Sequence, residues 1–340
     1  MNPLRQYVVS EREGNDLFLL AEAFLARHPE AAEDPHLFDR PDVQRELASG
    51  ADALPSGVRR ALQELREGRI PYLLLRRVLQ DGIGPTPSHW IDKVPDEAAQ
   101  RLEAVLFLLG GAIGKPLGIT TCQKGHLVQE VVPIAGYETQ LFSSSSETVL
   151  YWHTEDAFLD APARWLHLAC IRNQERVPTR LSAPDLGALP GAALAALEEP
   201  RFEFLPDVSH MIVPKDAATD GDQKKMAEAN ERPPKVPLVT SRGGRRKLLY
   251  DEPYLGDLRH DPVAQSAFAA LKQAIDDVAF DVVLEPGDLL YIDNHRAVHA
   301  RGRFKARYDG TDRWLKRMYL VEHDFVPRLH PEVLIVPEAL

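Results

Sequence analysis

The chain has 340 residues, of which 44% are hydrophobic and 27% are charged, and its formal net charge is −11. This composition is typical of a globular protein with a large core, and the acidic balance argues against general binding to nucleic acid. No apolar run approaches the length of a membrane span and the first residues lack a signal-peptide core, so we expect a cytoplasmic protein without a membrane partner. The two cysteines, Cys122 and Cys170, argue against a disulfide framework.

The N-terminal third has the apolar spacing of helices. Residues 11–27 and 58–67 show it, and residues 96–109 repeat it between a proline and the pair Gly110-Gly111. A helical layer of this kind normally packs its apolar face against the outside of a β-core. We therefore predict that residues 1–111 form an N-terminal helical region packed on the core.

From residue 119 onward the pattern changes to short β-rich runs separated by Pro, Gly, Asp and Ser. These runs lie near residues 129–134, 149–153, 165–172, 281–284, 289–293 and 314–322. Strands distributed in this way, with partners distant in the sequence, suit a double-stranded β-helix, also called a jelly roll. The prediction is an α+β, mainly β fold whose jelly-roll core covers residues 112–340.

One segment does not fit the strand pattern. Residues 216–237 are rich in Asp, Lys, Glu, Ala and Pro, which is typical either of a surface insertion or of a lid that orders when substrate binds. Asp207 and Ser209 stand at the root of this segment, which favours the lid. We therefore predict a lid insertion over residues 207–240.

His153 and Glu155 form a His-x-Glu triplet, and His299 follows far downstream. On a strand, this spacing places the first two side chains on one face, with Asp156 on the opposite face as a hydrogen-bond acceptor. Two imidazoles and one carboxylate are the facial ligand set of non-haem Fe(II) oxygenases, which leaves half of an octahedron open. A hydrolytic zinc enzyme takes His and Glu ligands as well.

The run around residues 312–320 places Arg313, Leu315 and Arg317 on one face of a predicted strand. Two guanidinium groups that point inward beside a metal need anionic partners. Two small molecules that each carry a carboxylate would supply them.

In these motifs, over residues 127–320, the chain resembles the clavaminate synthase-like branch of the Fe(II)/2-oxoglutarate-dependent dioxygenases, within the TauD/TfdA superfamily, and in particular the hydroxylases of free L-arginine. The resemblance implies that Fe(II) is the metal, 2-oxoglutarate the co-substrate and O2 the oxidant. The iron ligands would be His153, Glu155 and His299. The family's Asn-x-x-x-x-His arrangement favours His299 over His295 as the last ligand.

The same resemblance implies how the two small molecules are held. Arg313 would clamp the distal carboxylate of 2-oxoglutarate, and Thr179 would place a hydroxyl against it. Arg317 would take the α-carboxylate of the amino acid and Gln129 its α-amine. The pocket would be lined by Leu141 and Ser143.

The far end of the pocket would recognise the substrate side chain. Asp207 and Ser209 resemble the pair that closes over a guanidinium, and Asp251 resembles one of two aspartates there. Glu252 and Pro253 follow Asp251, so the second aspartate of the family pair is missing. L-arginine is the first choice of substrate, with lysine, citrulline and other long polar amino acids left open.

The implied activity is hydroxylation of C3 or C4 of a free amino acid, with 2-oxoglutarate and O2 converted to succinate and CO2. A desaturase or cyclase would use the same ligands. A non-enzymatic jelly-roll protein that binds a small molecule would not require the three metal ligands together with two inward arginines. A halogenase is disfavoured because Glu155 fills the position that chloride would need. The sequence leaves the oligomeric state open.

Overall fold

The computed structural model describes residues 4–32, 37–78, 82–92, 96–119, 121–159, 161–211, 227–228, 230–242, 244–324 and 335–336. Within these residues, four α-helices precede residue 112: α1 (Glu11–Leu25), α2 (Pro41–Ser49), α3 (Ser56–Arg66) and α4 (Glu97–Gly111). Side-chain caps start two of them, because Ser10 accepts a hydrogen bond from the Glu13 amide and Asp96 accepts from the amides that follow it. The three predicted helices are confirmed, and α2 is an addition to them.

Two strands also lie in this N-terminal region, β1 (Leu4–Val8) and β2 (Tyr72–Arg76). They pair in parallel, with Leu4 opposite Tyr72. The expectation that the first hundred residues are helices joined by turns was therefore wrong at these two places. A short apolar run such as β2 has no periodicity that separates a buried strand from a helix, and its pairing partner is distant in the chain.

The larger sheet has eight strands in the order β1-β2-β13-β6-β15-β3-β16, with β4 pairing to β15 beside β3. Its remaining strands are β3 (Lys115–Ile119), β4 (Val128–Val131), β6 (Trp165–Arg172), β13 (Leu289–Asp293), β15 (Trp314–Val321) and β16 (Ile335–Val336). The smaller sheet has four strands in the order β12-β7-β14-β5. Their bounds are β5 (Leu150–His153), β7 (Pro178–Ser182), β12 (Phe280–Val283) and β14 (Val298–Arg301).

The two sheets pack face to face through one apolar cluster. Leu168, Leu290 and Leu315 of the larger sheet pack in it with Leu181 and Val282 of the smaller one. Burying a side chain of this kind contributes about 2 kcal/mol relative to leaving it in water. The predicted double-stranded β-helix is confirmed, and its interior between the sheets is where inward-facing polar residues meet.

Helices cover the outer faces of both sheets. Leu17 of α1 and Leu106 of α4 pack in one cluster with Tyr291 of β13, outside the larger sheet. On the other side, helices α5 (Gly191–Leu197) and α7 (Pro262–Asp277) pack against the smaller sheet, where Leu271 joins a cluster with Val298. Neither α5 nor α7 was predicted, although Asp261 caps α7 and a proline follows it, a standard helix start.

The other strands and one further helix lie within the predicted lid or next to it: β8 (Phe202–Glu203), the short helix α6 (Val208–Met211), β9 (Lys235–Val236), β10 (Val239–Arg242) and β11 (Arg245–Leu248). β9 pairs with β8. Residues 212–226 and 229 of the predicted lid lie outside the described residues. In the described part of the chain both cysteines are free and buried, and none of the helices is long and apolar enough to cross a membrane.

Candidate active site

The three predicted metal ligands converge between the sheets. His153 ends β5 and lies directly opposite His299 of β14, so their ring centroids are 4.2 Å apart. One ligand atom from each of His153, Glu155 and His299 lies within 4.8 Å of the others. His299 Nε2 is 3.1 Å from Glu155 Oε1. The donor atoms are therefore grouped as a single metal ion requires.

A backbone carbonyl orients the imidazole of His153. Its Nδ1 lies 2.8 Å from the carbonyl oxygen of Tyr151, and an N–H at Nδ1 leaves the lone pair of Nε2 for a metal. Burial, together with the neighbouring His299, lowers the pKa of His153 to about 4. At neutral pH the ring is uncharged, which is the form that ligates metals.

Glu155 lies beyond the strand that carries His153, since β5 ends at His153. The prediction that both ligands belong to one strand was therefore wrong for Glu155. Asn294 fixes its backbone instead: the Glu155 amide donates to Asn294 Oδ1 at 2.7 Å, and Asn294 Nδ2 donates to the Glu155 carbonyl at 3.3 Å. The sequence signal for Asn294 was its spacing to His299, which pointed to the ligand and not to this role.

The carboxylate of Glu155 is buried and held by two donors. Tyr319 donates its hydroxyl to Oε2 at 2.7 Å, and Arg317 Nη1 donates to the same oxygen at 3.1 Å. Burial alone would raise the pKa of Glu155, but the Arg317 guanidinium and the neighbouring histidines hold it well below its usual value. Tyr319 was missed, although it follows Arg317 by two residues and so shares its face of β15.

Asp156 has a left-handed backbone, with φ of 53°, and lines the same cavity as Glu155. The prediction that it faces the opposite side was wrong, because the chain has already turned out of the strand. Its predicted role as a hydrogen-bond acceptor is confirmed, since Oδ1 lies 3.0 Å from His210 Nε2. His210 belongs to α6 and its Nδ1 lies 2.7 Å from Thr121 Oγ1.

Gln129 lies opposite Arg317 in the register of β4 and β15. Its Oε1 accepts from Arg317 Nε at 2.8 Å and from Nη2 at 2.6 Å. Both lone pairs of this oxygen are therefore used, and the remaining Nε2 is a donor that has no partner. In this arrangement Gln129 orients Arg317, and its contact with the α-amine stays a prediction.

The predicted co-substrate residues line the same cavity from both sheets. Arg313, immediately before β15, is 6% exposed and Thr179 of β7 is 3% exposed. Burial lowers the pKa of Arg313 to about 10, and its Nε has no hydrogen-bond partner. Arg301 of β14 is a further buried arginine on this cavity that the sequence analysis missed. Burial and the charge of Arg313 lower the pKa of Arg301 to about 9.

Of the predicted substrate residues, five also line this cavity, namely Leu141, Ser143, Asp207, Asp251 and Arg317. The side chain of Ser209 lies outside the described part of the structure. Asp251 is buried, and burial together with the Asp207 carboxylate raises its pKa well above the usual value. Among the described residues no Lys or Arg forms an ion pair with Asp251.

The two residues after Asp251 differ in their orientation. Glu252 pairs with Lys272 Nζ at 2.7 Å, so it is engaged with α7. Pro253 lines the cavity and brings no charge to it. The carboxylates of Asp251 and Asp207 therefore line the cavity, and Glu252 does not supply one there.

A jelly roll whose interior holds a His-Glu-His cluster beside buried arginines defines a class, the non-haem Fe(II) oxygenases. Comparisons with known proteins agree with this class. The family model for the taurine catabolism dioxygenase TauD, TfdA family matches residues 191–319.

Two relatives are similar over most of their length. The chain is 34% identical over 291 residues to the enduracididine beta-hydroxylase of Streptomyces hygroscopicus, covering 82% of this chain and 84% of that protein. It is 37% identical over 257 residues to the L-ornithine/L-arginine 3-hydroxylase of Catenulispora acidiphila, covering 72% of this chain and 74% of that one.

Among solved structures, the non-heme iron oxygenase OrfP in complex with Fe, succinate and (3S)-hydroxy-L-Arg is similar with a TM-score of 0.83 and 34% identity, over 93% of each chain. The chain belongs to the TauD/TfdA superfamily of Fe(II)/2-oxoglutarate-dependent dioxygenases, in its clavaminate synthase-like branch.

Proposed function

We propose that this protein is an Fe(II)/2-oxoglutarate-dependent hydroxylase of a free basic amino acid, with L-arginine as the first candidate. The observation that carries the proposal is the charge distribution of one cavity. Arg317 and the His-Glu-His cluster line it together with the carboxylates of Asp207 and Asp251. An α-amino acid with a cationic side chain has the complementary charges at its two ends.

Iron fits the donor set. His153, Glu155 and His299 offer two imidazole nitrogens and one carboxylate oxygen within 4.8 Å of one another. The uncharged His153 and the ionised Glu155 are in the forms that bind a divalent metal. These residues would hold Fe(II) and leave half of its octahedral shell for small molecules.

2-Oxoglutarate fits the cationic side of the cavity. Arg313 is buried there and has no acidic partner in the described part of the chain, so a carboxylate bound to it would balance its charge. We infer that Arg313 and Thr179 hold the distal carboxylate of 2-oxoglutarate. When bound, iron, 2-oxoglutarate and O2 together supply the oxidation of an aliphatic C–H bond to C–OH, with succinate and CO2 as the other products.

The protein's own contribution is positioning. Arg317, oriented by Gln129, takes the α-carboxylate of the amino acid, while Asp207 and Asp251 take its cationic tip. Held at both ends, the amino acid presents its C3 or C4 carbon to the metal. The names of the relatives support this, since the two hydroxylases act on enduracididine and on ornithine or arginine at the β or 3 position.

We also propose that residues 207–240 form a lid over the bound amino acid, which would exclude water from the reaction. Support comes from its first residues. Asp207 lines the cavity, and His210 of α6 contacts Asp156 beside the metal cluster. Leu141 and Ser143 would form the opposite wall. A cytoplasmic location, and the absence of nucleic-acid and membrane partners, stay part of the proposal.

The test is an assay with Fe(II), ascorbate, 2-oxoglutarate and a panel of free amino acids that includes arginine, ornithine, lysine and citrulline. We expect succinate formation stimulated by arginine and a product about sixteen mass units heavier, since one oxygen atom is transferred. His299→Ala should abolish both. If the metal-loaded protein forms no succinate in response to any basic amino acid, or acts on one without O2, the proposal is wrong.

The substrate assignment has its own test in the same assay. Asp251→Asn should lower the apparent affinity for arginine about tenfold or more, because it removes a charged partner of the guanidinium. The apparent affinity for citrulline should change less, because citrulline has no cationic tip. Glu252→Gln is the matched control, since Glu252 pairs with Lys272. Equal losses for arginine and citrulline would contradict the role of Asp251.

A further inference from the structure

Arg301 is a buried arginine that the proposed mechanism does not use. It lies two residues after His299 on β14, so both side chains point to the inner side of the smaller sheet. It is 5% exposed and lines the cavity together with Arg313. In the register of β14 and β7 it lies directly opposite Thr179. Arg301 is therefore placed beside the two residues assigned to the distal carboxylate of 2-oxoglutarate.

The hydrogen-bond partners of Arg301 are all neutral. Its Nη1 donates to the carbonyl oxygen of Ser145, and its Nη2 donates to Ser145 Oγ at 3.0 Å and to the Thr148 carbonyl at 2.9 Å. Its Nε is buried and has no partner. None of the carboxylates in the described ranges lies within salt-bridge distance of it.

Two other buried cations of the protein are paired with carboxylates, unlike Arg301. Arg317 pairs with Glu155, and Lys316 pairs with Glu103 and Glu130. Buried charges are normally compensated in this way, because an isolated charge loses its hydration and gains nothing in return. Among the described residues Arg301 has no acidic partner of this kind, and the contact of its guanidinium is with the neutral ring of Phe304, 5.1 Å away.

Arg313 is likewise a buried cation without a described acidic partner. Within the described part of the chain it too forms no ion pair with an acid, so two buried guanidinium groups face one cavity without a carboxylate of their own. A ligand that brings a negative charge to this end of the cavity would be held by both.

We propose that Arg301 is a second cation of the co-substrate site, which selects a 2-oxo acid with a distal carboxylate and at the same time holds the segment from Ser145 to Thr148 against the cavity. This rests on the proposed function, because it takes 2-oxoglutarate as the co-substrate. Arg313 and Thr179 bind the distal carboxylate directly. The positive charge of Arg301 adds to the attraction of Arg313 and so helps to position the same distal carboxylate.

The two roles of Arg301 separate experimentally because only one of them depends on ligand charge. A unit charge several ångströms from a carboxylate in a site of intermediate dielectric changes its binding about tenfold. A hydrogen bond to the protein segment has no such preference. The comparison ligand is 2-oxopentanoate, which has the 2-oxo acid group and the chain length of 2-oxoglutarate but ends in a methyl group.

The experiment measures binding of both 2-oxo acids by calorimetry to the full chain loaded with Zn²⁺ in place of iron, so that no turnover occurs. We expect Arg301→Gln to reduce the preference for 2-oxoglutarate over 2-oxopentanoate about tenfold, since the charge is gone. Arg301→Lys keeps the charge and should keep the preference. Ser145→Ala removes a hydrogen-bond partner of Arg301 and leaves its charge in place. It should therefore change the affinities for the two ligands by the same factor. Arg301→Met is a second neutral variant should the glutamine variant not fold.

If the neutral variants weaken both ligands by the same factor, Arg301 only holds the segment and the inference is overturned. The same follows if Arg301→Lys loses the preference as fully as the neutral variants do. A wild-type protein that binds zinc but not 2-oxoglutarate would instead overturn the proposed function, and this inference with it.

Discussion

At the scale of single residues, the metal ligands depend on partners that are remote in sequence. Glu155 lies in a turn, and its amide and carbonyl are both held by Asn294. Asn294 also donates to the carbonyl of Ala163 at 2.9 Å, so it is anchored on a second segment. Residues that orient a ligand affect metal affinity without touching the ion. Asn294 is therefore a positioning residue for Glu155.

Asn294→Ala should lower the affinity for Fe(II) about 10- to 100-fold, because the turn that presents Glu155 loses its anchor. Metal titration under anaerobic conditions measures this. Asn173→Ala is the matched control: Asn173 is also a buried asparagine that holds backbone groups, in this case those of Val177 and Leu284. If both variants lose metal affinity to the same extent, the effect is general destabilisation and the role of Asn294 is refuted.

At the scale of elements, β15 joins the site to the helical layer. Its inward side chains Arg317 and Tyr319 hold Glu155, while Lys316 points to the opposite face. Lys316 Nζ donates to Glu103 of α4 at 2.8 Å and also to Glu130 of β4. Although burial lowers the pKa of Lys316, the two carboxylates raise it above its usual value. One buried ammonium thus connects a helix and two strands.

Lys316→Met should reduce the free energy of unfolding by about 3–5 kcal/mol, because it leaves two buried carboxylates without their cation. Urea denaturation followed by circular dichroism measures the change. Arg259→Met is the control, since Arg259 pairs with Asp257 at the surface, where water screens the ion pair and its contribution to stability is small. A loss for Lys316→Met no larger than that of the control would show that the network does not stabilise the fold.

At the scale of the whole molecule, the core between the larger sheet and the helices contains a buried histidine that has no hydrogen-bond partner among the described residues. His167 of β6 stacks on Tyr291 with ring centroids 4.0 Å apart, and neither of its ring nitrogens has a hydrogen-bond partner. Burial lowers the pKa of His167 to about 3 from an ordinary value of 6.5. The folded protein therefore keeps this ring neutral at pH values where the unfolded chain takes up a proton.

This difference makes stability fall as the pH decreases from about 6.5 towards 3, since the unfolded state binds one more proton in that range. His167→Phe removes this contribution and retains the stacking. Relative to wild type, the variant should gain about 2 kcal/mol more at pH 5 than at pH 7. Urea denaturation at the two pH values measures the difference, with the exposed His260→Gln as control. An equal effect at both pH values would contradict a neutral, buried His167.

Much of the architecture follows from local patterns in the sequence. The predicted bounds of β6 and β13 match the structure, and the helices at residues 11–27, 58–67 and 96–109 are present. The residue types of the metal cluster and the inward arginines were also predicted. Alternation along a strand and the apolar spacing of a helix depend on residues only a few positions apart, so they can be read without knowing the rest of the fold.

The tertiary structure alone decided which groups meet. It placed Glu155 beyond its strand on Asn294, engaged Gln129 with Arg317, paired β1 with β2, and turned Glu252 to Lys272 while Pro253 faces the cavity. Each of these contacts joins segments that are at least 20 residues apart in the sequence, and most join segments much farther apart. Such contacts form only when the chain closes a long loop, and the burial that stabilises the closed loop is a property of the packed sheets and not of either segment alone.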